Sequence, residues 1–216
     1  MDRFIASLPA EPDGDLMLCR EHGVAYQHDR SNLCAYDDAY YSKCASYEGQ
    51  EIARKINEGR VAMVNKHVGL GRVVDVGIGS GEFIKNRPNT WGHDVNPVGI
   101  EWLKRNDLWA AKLGPFCGVT MWDVIEHLDT PEEYLRQIPL HGFLFVSLPI
   151  FYALGAVRLS KHYRPSEHLQ YFTEEGFVAW MALHGFLMLE MQDFEIAAGR
   201  ESIYSFAFRR FRWPAH

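Results

Sequence analysis

Val73-Val74-Asp75-Val76-Gly77-Ile78-Gly79-Ser80-Gly81 is the stretch whose reading decides the fold. A short valine-rich run predicts a buried strand, three glycines follow at alternate positions, and Glu82 to Asn86 begins a short helix that Pro88 ends. Glycines accept left-handed dihedrals and let a ligand approach the main chain, which a Cβ would hinder. Such a loop at the carboxyl end of a strand is where open α/β sheets bind their ligands. The plainer alternative is a tight strand-to-helix turn. Three glycines, with Asp75 before them and Asp94 at the end of the next strand, weigh against it.

Spacing and charge narrow the ligand. A dinucleotide fingerprint starting at Gly77 needs a glycine at position 82, which is Glu82, and a carboxylate beside a pyrophosphate is unfavourable. A P-loop would end in Gly-Lys-Ser or Gly-Lys-Thr, which is absent. The loop begins with Asp75 and meets no Lys or Arg before Lys85, so it suits a ligand bearing positive charge. In Gly92-His93-Asp94 the acid is placed to accept both hydroxyls of a ribose lying across the loop.

Outward from the loop, Ile52, Ile56, Met63 and Val64 predict a helix from Gln50 to His67, stopped by Gly69 and Gly71. Downstream, Thr90 to Val95 reads as a strand, and Pro97 opens a helix over Val98 to Asn106. A weak third strand is expected near Leu108 to Ala111 and a clear fourth at Gly118 to Trp122. Asp123 to Gln137 reads as helical with a break at Asp129-Thr130-Pro131, and Gly142 to Leu148 as a strand buried on both faces. This alternation predicts parallel pairing through helical crossovers. After the long connection Pro149 to Gln170 comes a helix, Thr173 to His184. Phe186 to Ile196 and Ile203 to Arg209 then form an antiparallel hairpin turning through residues 197–200. Residues 1–47, with turn formers and then tyrosines (Tyr26, Tyr36, Tyr40, Tyr41, Tyr47), are expected to be a lead segment or partial lid on a domain spanning 48–216.

The glycine loop followed by Asp94 resembles motif I and the second-strand acid of class I S-adenosylmethionine-dependent methyltransferases, over about residues 50–209. The resemblance implies an α/β, Rossmann-like sheet of about seven strands, with helices on both faces and an antiparallel C-terminal hairpin. It implies S-adenosyl-L-methionine as cofactor, with its methionine part at Asp75, Gly77, Gly79, Ser80 and Gly81. The ribose side falls to Asp94, Val95 and Asn96, and Trp122 and Asp123 line the site. An acid facing the adenine amine has no clear counterpart in Leu108 to Phe116.

Met121 to Pro131 and His168-Leu169-Gln170-Tyr171-Phe172-Thr173 are similar to segments of the subgroup that includes ubiquinone-biosynthesis O-methyltransferases. If helical, Asp123, Glu126 and His127 share a face. Several readings stay open there: Trp122 and Asp123 line the cofactor, His127 takes a proton from the acceptor, the three polar side chains hold a divalent metal, or Glu126 and His127 brace the helix. Spacing specifies no further ligand, so no metal is assigned. The candidate bases are His127, His162 and His168, the last two in a connection expected to cover the substrate. Phe172 packing and Thr173 capping would staple the following helix.

Composition bounds the partners. Asp plus Glu outnumber Lys plus Arg by 28 to 22, a net charge of −6, which argues against general nucleic-acid binding. The Asn/Asp-Pro-Pro-aromatic sequence of base amino-methyltransferases is also missing, since the fourth strand ends in Trp122-Asp123-Val124-Ile125. Arg209, Arg210 and Arg212 read as a solvated end. No run approaches about 20 apolar residues, so a soluble, cytoplasmic chain without membrane contact is expected. Cys19, Cys34, Cys44 and Cys117 are expected as reduced thiols. A zinc cluster from Cys19, His22, Cys34 and Cys44 lacks a Cys-x-x-Cys knuckle. The function expected is transfer of a methyl group to an O, N or C atom of a small-molecule or modified-group acceptor. The alternatives are a catalytically silent cofactor-binding module, acting as sensor or partner subunit, and a nicotinamide oxidoreductase, which Glu82 disfavours.

Overall fold

A computed structural model describes residues 8–28, 31, 33, 34 and 51–212. Cys44 and the tyrosines at 36, 40, 41 and 47 lie outside the described residues. The chain runs β1 (Glu11–Asp13), β2 (Leu16–Cys19), β3 (Val24–Gln27), α1 (Glu51–Val68), β4 (Val73–Val76), α2 (Glu82–Asn86), β5 (Thr90–His93), α3 (Pro97–Arg105) and β6 (Gly118–Trp122). It continues through a 3-10 turn (Ile125–His127), α4 (Pro131–Leu135), β7 (Phe143–Pro149), a second 3-10 stretch (Leu154–Leu159), β8 (Gln170–Phe172), α5 (Glu174–Leu183), β9 (Phe186–Gln192), α6 (Phe194–Ala197) and β10 (Ile203–Arg210).

The central sheet has the order β5-β4-β6-β7-β10-β9. Pairing is parallel from β5 to β7 and antiparallel at β7–β10 and β10–β9. This is the doubly wound sheet and terminal hairpin that the sequence predicts, with six strands among the described residues where about seven are expected. The weak third strand survives as a single parallel bridge, Gly92 to Trp109, held by Gly92 N–H to the Leu108 carbonyl and Ala110 N–H to the Gly92 carbonyl.

Strand alternation sorts the core into two layers. Val74, Val76, Val119, Met121, Leu144, Val146, Leu148, Phe206 and Phe208 belong to one cluster with Phe177, Trp180 and Met181 of α5. Each such large side chain contributes about 1.5–3 kcal/mol when fully buried. The opposite face packs Val73, Phe145, Ala207 and Trp122 against Met63 and Val64 of α1 and Phe83 of α2. That second face also carries polar side chains: Asp75, Thr120, Ser147 and Ser205 are all buried. They point toward α1 and α6, and they matter for the site.

The N-terminal texture conceals a small sheet. β1, β2 and β3 form an antiparallel meander, and β3 pairs with β8, giving the order β1-β2-β3-β8. Three or four residues per strand are too few to register as an alternating pattern, which is why the sequence reads as irregular there. The partner strand comes from the end of the long connection, which thereby gains a strand the sequence does not signal. Thr173 caps α5 by accepting from Gly176 N–H at 3.1 Å, and Phe172 is fully buried, so the expected staple forms.

Candidate functional site

β4 ends in the glycine loop because its backbone turns left-handed three times: φ is 72° at Gly77, 53° at Gly79 and 76° at Gly81. A Cβ on Gly77 would lie 2.6 Å from Val124 Cγ2, so this residue must lack one for β4 and the segment after β6 to approach. Asp94, after β5, ties the loop down. Its Oδ2 accepts the Ile78 amide at 2.9 Å, and Oδ1 accepts the Asn96 amide at 2.8 Å. Asn96 then caps α3 by accepting from Val98 N–H at 2.8 Å. Val95, 64% exposed, presents an apolar surface beside the acid. Next to it His93 stacks on Trp109 at 5.3 Å between ring centroids, and Tyr134 meets His93 edge-on.

Asp75 is buried one step below the loop and accepts the Thr120 hydroxyl at 2.6 Å. Burial drives its pKa up to about 7, opposed by the Thr120 bond and by Arg60. The acid therefore sits near half-charge at neutral pH, ready to be drawn into its ionised form by a nearby cation.

The segment after β6 departs from the helical expectation. Asp123 has φ 57°, a left-handed residue that ends the strand abruptly, and only Ile125–His127 makes a short 3-10 turn. Asp123, Glu126 and His127 therefore do not share a helical face. Asp123 faces two cations instead: Arg60 Nη2 stands 3.1 Å from its Oδ2, and Arg200 donates to both oxygens at 2.8 and 3.0 Å. Burial acts to raise the Asp123 pKa, but Arg200 and Arg60 outweigh it and hold the acid well below the usual range.

The same two arginines grip the fully buried Glu195 of α6. Arg60 makes bonds of 2.9 and 3.1 Å to it, and Arg200 pairs with it as well. Ser147 accepts from Arg60 at 3.2 Å, and Ser205 donates to Glu195 at 3.2 Å. The Arg60 guanidinium lies 4.9 Å over the Trp122 ring, which also packs edge-on against Phe83. This network of two acids and two arginines is absent from the sequence reading. Arg60 had one signal, since it lies four residues from both Ile56 and Val64 on α1 and so falls on the helix's buried face.

Of the three candidate bases, the structure brings two together. His127 and His168 meet perpendicularly with ring centroids 4.6 Å apart. His127 Nδ1 donates to the Glu167 carbonyl at 2.9 Å, while the Leu169 amide donates to the Glu126 carbonyl at 2.8 Å, pinning the 3-10 turn to the connection. His162 turns away to donate from Nε2 to the Glu201 carbonyl at 2.6 Å. Burial lowers the pKa of all three, with His168 falling to about 3, so each imidazole is neutral at pH 7. Burial pushes the Glu126 carboxyl well up, with the Asp123 charge adding to it.

An open depression of about 560 Å³ lies beside the end of β7, lined in part by Phe151, Tyr152, Leu159, Glu174, Glu201 and Tyr204. It contains no residue of the glycine loop, so it does not mark the crevice. At the far end, Cys19 Sγ contacts His22 Nδ1 at 3.1 Å, with Cys19 buried and Cys34 exposed. No helix among the described residues is long and apolar enough to cross a membrane.

The loop geometry is compatible with an S-adenosylmethionine-type ligand: three left-handed glycines bare the main chain after β4, and the Asp94 carboxylate and the exposed Val95 side chain stand after β5. Comparisons with known proteins agree. A family model described as a methyltransferase domain matches residues 26–191. No curated protein matches in sequence. Among solved structures, the chain resembles Burkholderia thailandensis 1,6-didemethyltoxoflavin-N1-methyltransferase with bound 1,6-didemethyltoxoflavin and S-adenosylhomocysteine. The TM-score is 0.55 and the identity 15%, over 95% of this chain and 100% of that one. It also resembles magnesium protoporphyrin IX methyltransferase from Synechocystis PCC 6803 with bound S-adenosylhomocysteine, at TM-score 0.56 and 14% identity over 79% and 93%. A third likeness is the Haloferax volcanii complex between the Trm112 methyltransferase activator and the putative methyltransferase, at TM-score 0.61 and 13% identity over 83% and 97%. With the family model spanning most of its length, the chain belongs to the methyltransferase domain family and is an S-adenosylmethionine-dependent methyltransferase of Rossmann-like fold.

Proposed function

We propose that the chain moves the sulfonium methyl of S-adenosylmethionine onto an oxygen, nitrogen or carbon of a small-molecule acceptor. The observation that carries this reading is the joint between the Ile78 amide and the Asp94 carboxylate, which sets the cradle and the ribose acid at a fixed spacing. In this reading Gly77, Gly79, Ser80 and Gly81 hold the methionine part with main-chain groups, and Asp75 below them supplies negative charge. Asp94 and Asn96 face the ribose and Val95 packs on the adenine. Trp109 and His93, stacked beside Val95, would flank the adenine where the sequence offers no acid.

In this reading Trp122 and Asp123, held by Arg60 and Arg200, line the methionine end. The protein's chemical task is to hold the acceptor atom in line with the breaking bond, and orientation of this kind supplies about 7 to 11 kcal/mol. Where the acceptor must lose a proton, a positioned base adds about a hundred- to ten-thousand-fold; with its pKa lowered to about 3, His168 is the weakest of the three candidates, which favours His127 and His162. The names of the solved relatives, which carry 1,6-didemethyltoxoflavin and magnesium protoporphyrin IX, support a small-molecule acceptor over a silent binding module.

Calorimetric titration with S-adenosylhomocysteine tests the site. Gly79→Val should abolish binding and Asp94→Ala should weaken it at least tenfold. Unchanged binding in both variants, or tight nicotinamide binding with none of the homocysteine nucleoside, would overturn the reading.

A further inference from the structure

We propose that Glu126, His127 and His168 form a binding site for one divalent transition-metal ion. A ligand atom from each of the three lies within 4.8 Å of the other two. Donors on a common ion with bonds of about 2.0–2.2 Å stand roughly 3 to 4 Å apart, so closure needs side-chain shifts of about an ångström.

The state of the donors points to a cation. Glu126 is 1% exposed and its Oε2 has no hydrogen-bond partner; His168 is 4% exposed and its Nδ1 has none. Two orphaned acceptor-capable atoms in one buried cluster are costly without a cation or proton donor between them. His127 is oriented as a metal-binding histidine is. Its Nδ1–H donates to the Glu167 carbonyl, fixing the tautomer that leaves the Nε2 lone pair turned toward Glu126, 4.0 Å from Oε1. The scaffold is tied at both sides of the cluster, by Leu169 N–H to the Glu126 carbonyl and by His168 N–H to the Arg164 carbonyl, each 2.8 Å.

The donor set also selects the ion. Two imidazole nitrogens and one carboxylate suit zinc, iron, manganese or cobalt better than magnesium or calcium, which favour all-oxygen shells. Asp123, which the sequence offers as a third donor, is taken up by Arg60 and Arg200. The third ligand comes from His168, 41 positions beyond His127, where residue spacing gives no hint. Three protein ligands leave a position for water or for an oxygen of the acceptor, so the site deepens the methyl-transfer reading and rests on it for that role alone.

The test uses full-length protein dialysed against a chelator and titrated with Zn²⁺ and Mn²⁺ by calorimetry, with Co²⁺ absorption as a spectroscopic readout. One equivalent should bind with a rise in Tm, and Co²⁺ should give imidazole-type visible bands. Glu126→Gln and His168→Asn should each weaken binding at least tenfold and abolish the bands. No uptake by the dialysed wild type, or uptake unaltered in both variants, overturns the site. S-adenosylhomocysteine titration of the same samples separates the two claims. Nucleoside binding without metal uptake sinks the metal site alone; metal uptake without nucleoside binding sinks the methyltransferase reading alone.

Discussion

The Thr120 hydroxyl donates to Asp75 Oδ1 at 2.6 Å across two paired parallel strands, β4 and β6, inside the sheet and directly below the glycine loop. One neutral donor does not offset the burial of that carboxylate, whose pKa rises to about 7. The protonated acid is the form the fold prefers. Its contribution to stability is complete below the unfolded value near 3.8 and is lost as pH rises through about 7. A shift of this size corresponds to about 4 kcal/mol by alkaline pH. Denaturant melts of the wild type should therefore lose stability between about pH 4 and 7 and level off above that, and Asp75→Asn should flatten that slope. Ligand binding should run the other way, because the ionised acid attracts a cationic cofactor. Affinity for S-adenosylmethionine should rise from pH 6 to 8 in the wild type and stay level in the variant.

Gly77 is the tightest point of the loop. A methyl group there would meet Val124 at 2.6 Å in a left-handed conformation. Gly77→Ala should cost about 1–3 kcal/mol in chemical denaturation and weaken nucleoside binding more than a surface substitution does.

Arg60 reaches from α1 to Glu195, 135 positions away, and the carboxylate is fully buried. Removing one partner of a buried pair leaves a charge without compensation, typically costing about 3–5 kcal/mol. Arg200 still faces Glu195, so Arg60→Ala should fall at the lower end of that range. A double-mutant cycle with Glu195→Gln should show coupling of more than about 1 kcal/mol; additive losses would mean that the pair acts independently.

Gly176, in the first turn of α5, supports the turn before β3. A Cβ there would lie 2.2 Å from the Gly23 carbonyl oxygen and 2.6 Å from that of His22, both main-chain atoms that cannot rotate away. Gly176→Ala should separate the meander from the helix, at about 1–3 kcal/mol. Limited proteolysis should then cut within residues 8–28 while the central sheet stays protected.

The glycine loop and its tie to Asp94 were legible because their signals are local: valines, glycines and Asp94 lie within one strand-loop-helix-strand unit. The cluster after β6 was not, because its contacts join distant segments. His168 meets His127 only after the connection folds back, and Asp123 turns left-handed where a helical pattern predicted one shared face. Arg200 and Glu195 sit in the hairpin's turn, where charged residues normally read as solvent-facing; nothing nearby announces that Arg60 will meet them. Strand length set the other boundary. β1 to β3 are too short to show alternation, and the third parallel strand shrinks to one bridge at Trp109.

The pairing of β3 with β8 bears on how the molecule is made. Gln27 and Tyr171, hydrogen-bonded across that pair, are separated by 144 positions. At roughly 5–20 residues per second of synthesis, the meander leaves the ribosome about 7 to 30 s before the strand it needs exists. During that interval the β3 edge that β8 will cover has no partner strand, so this pairing can form only after residues 170–172 have been made.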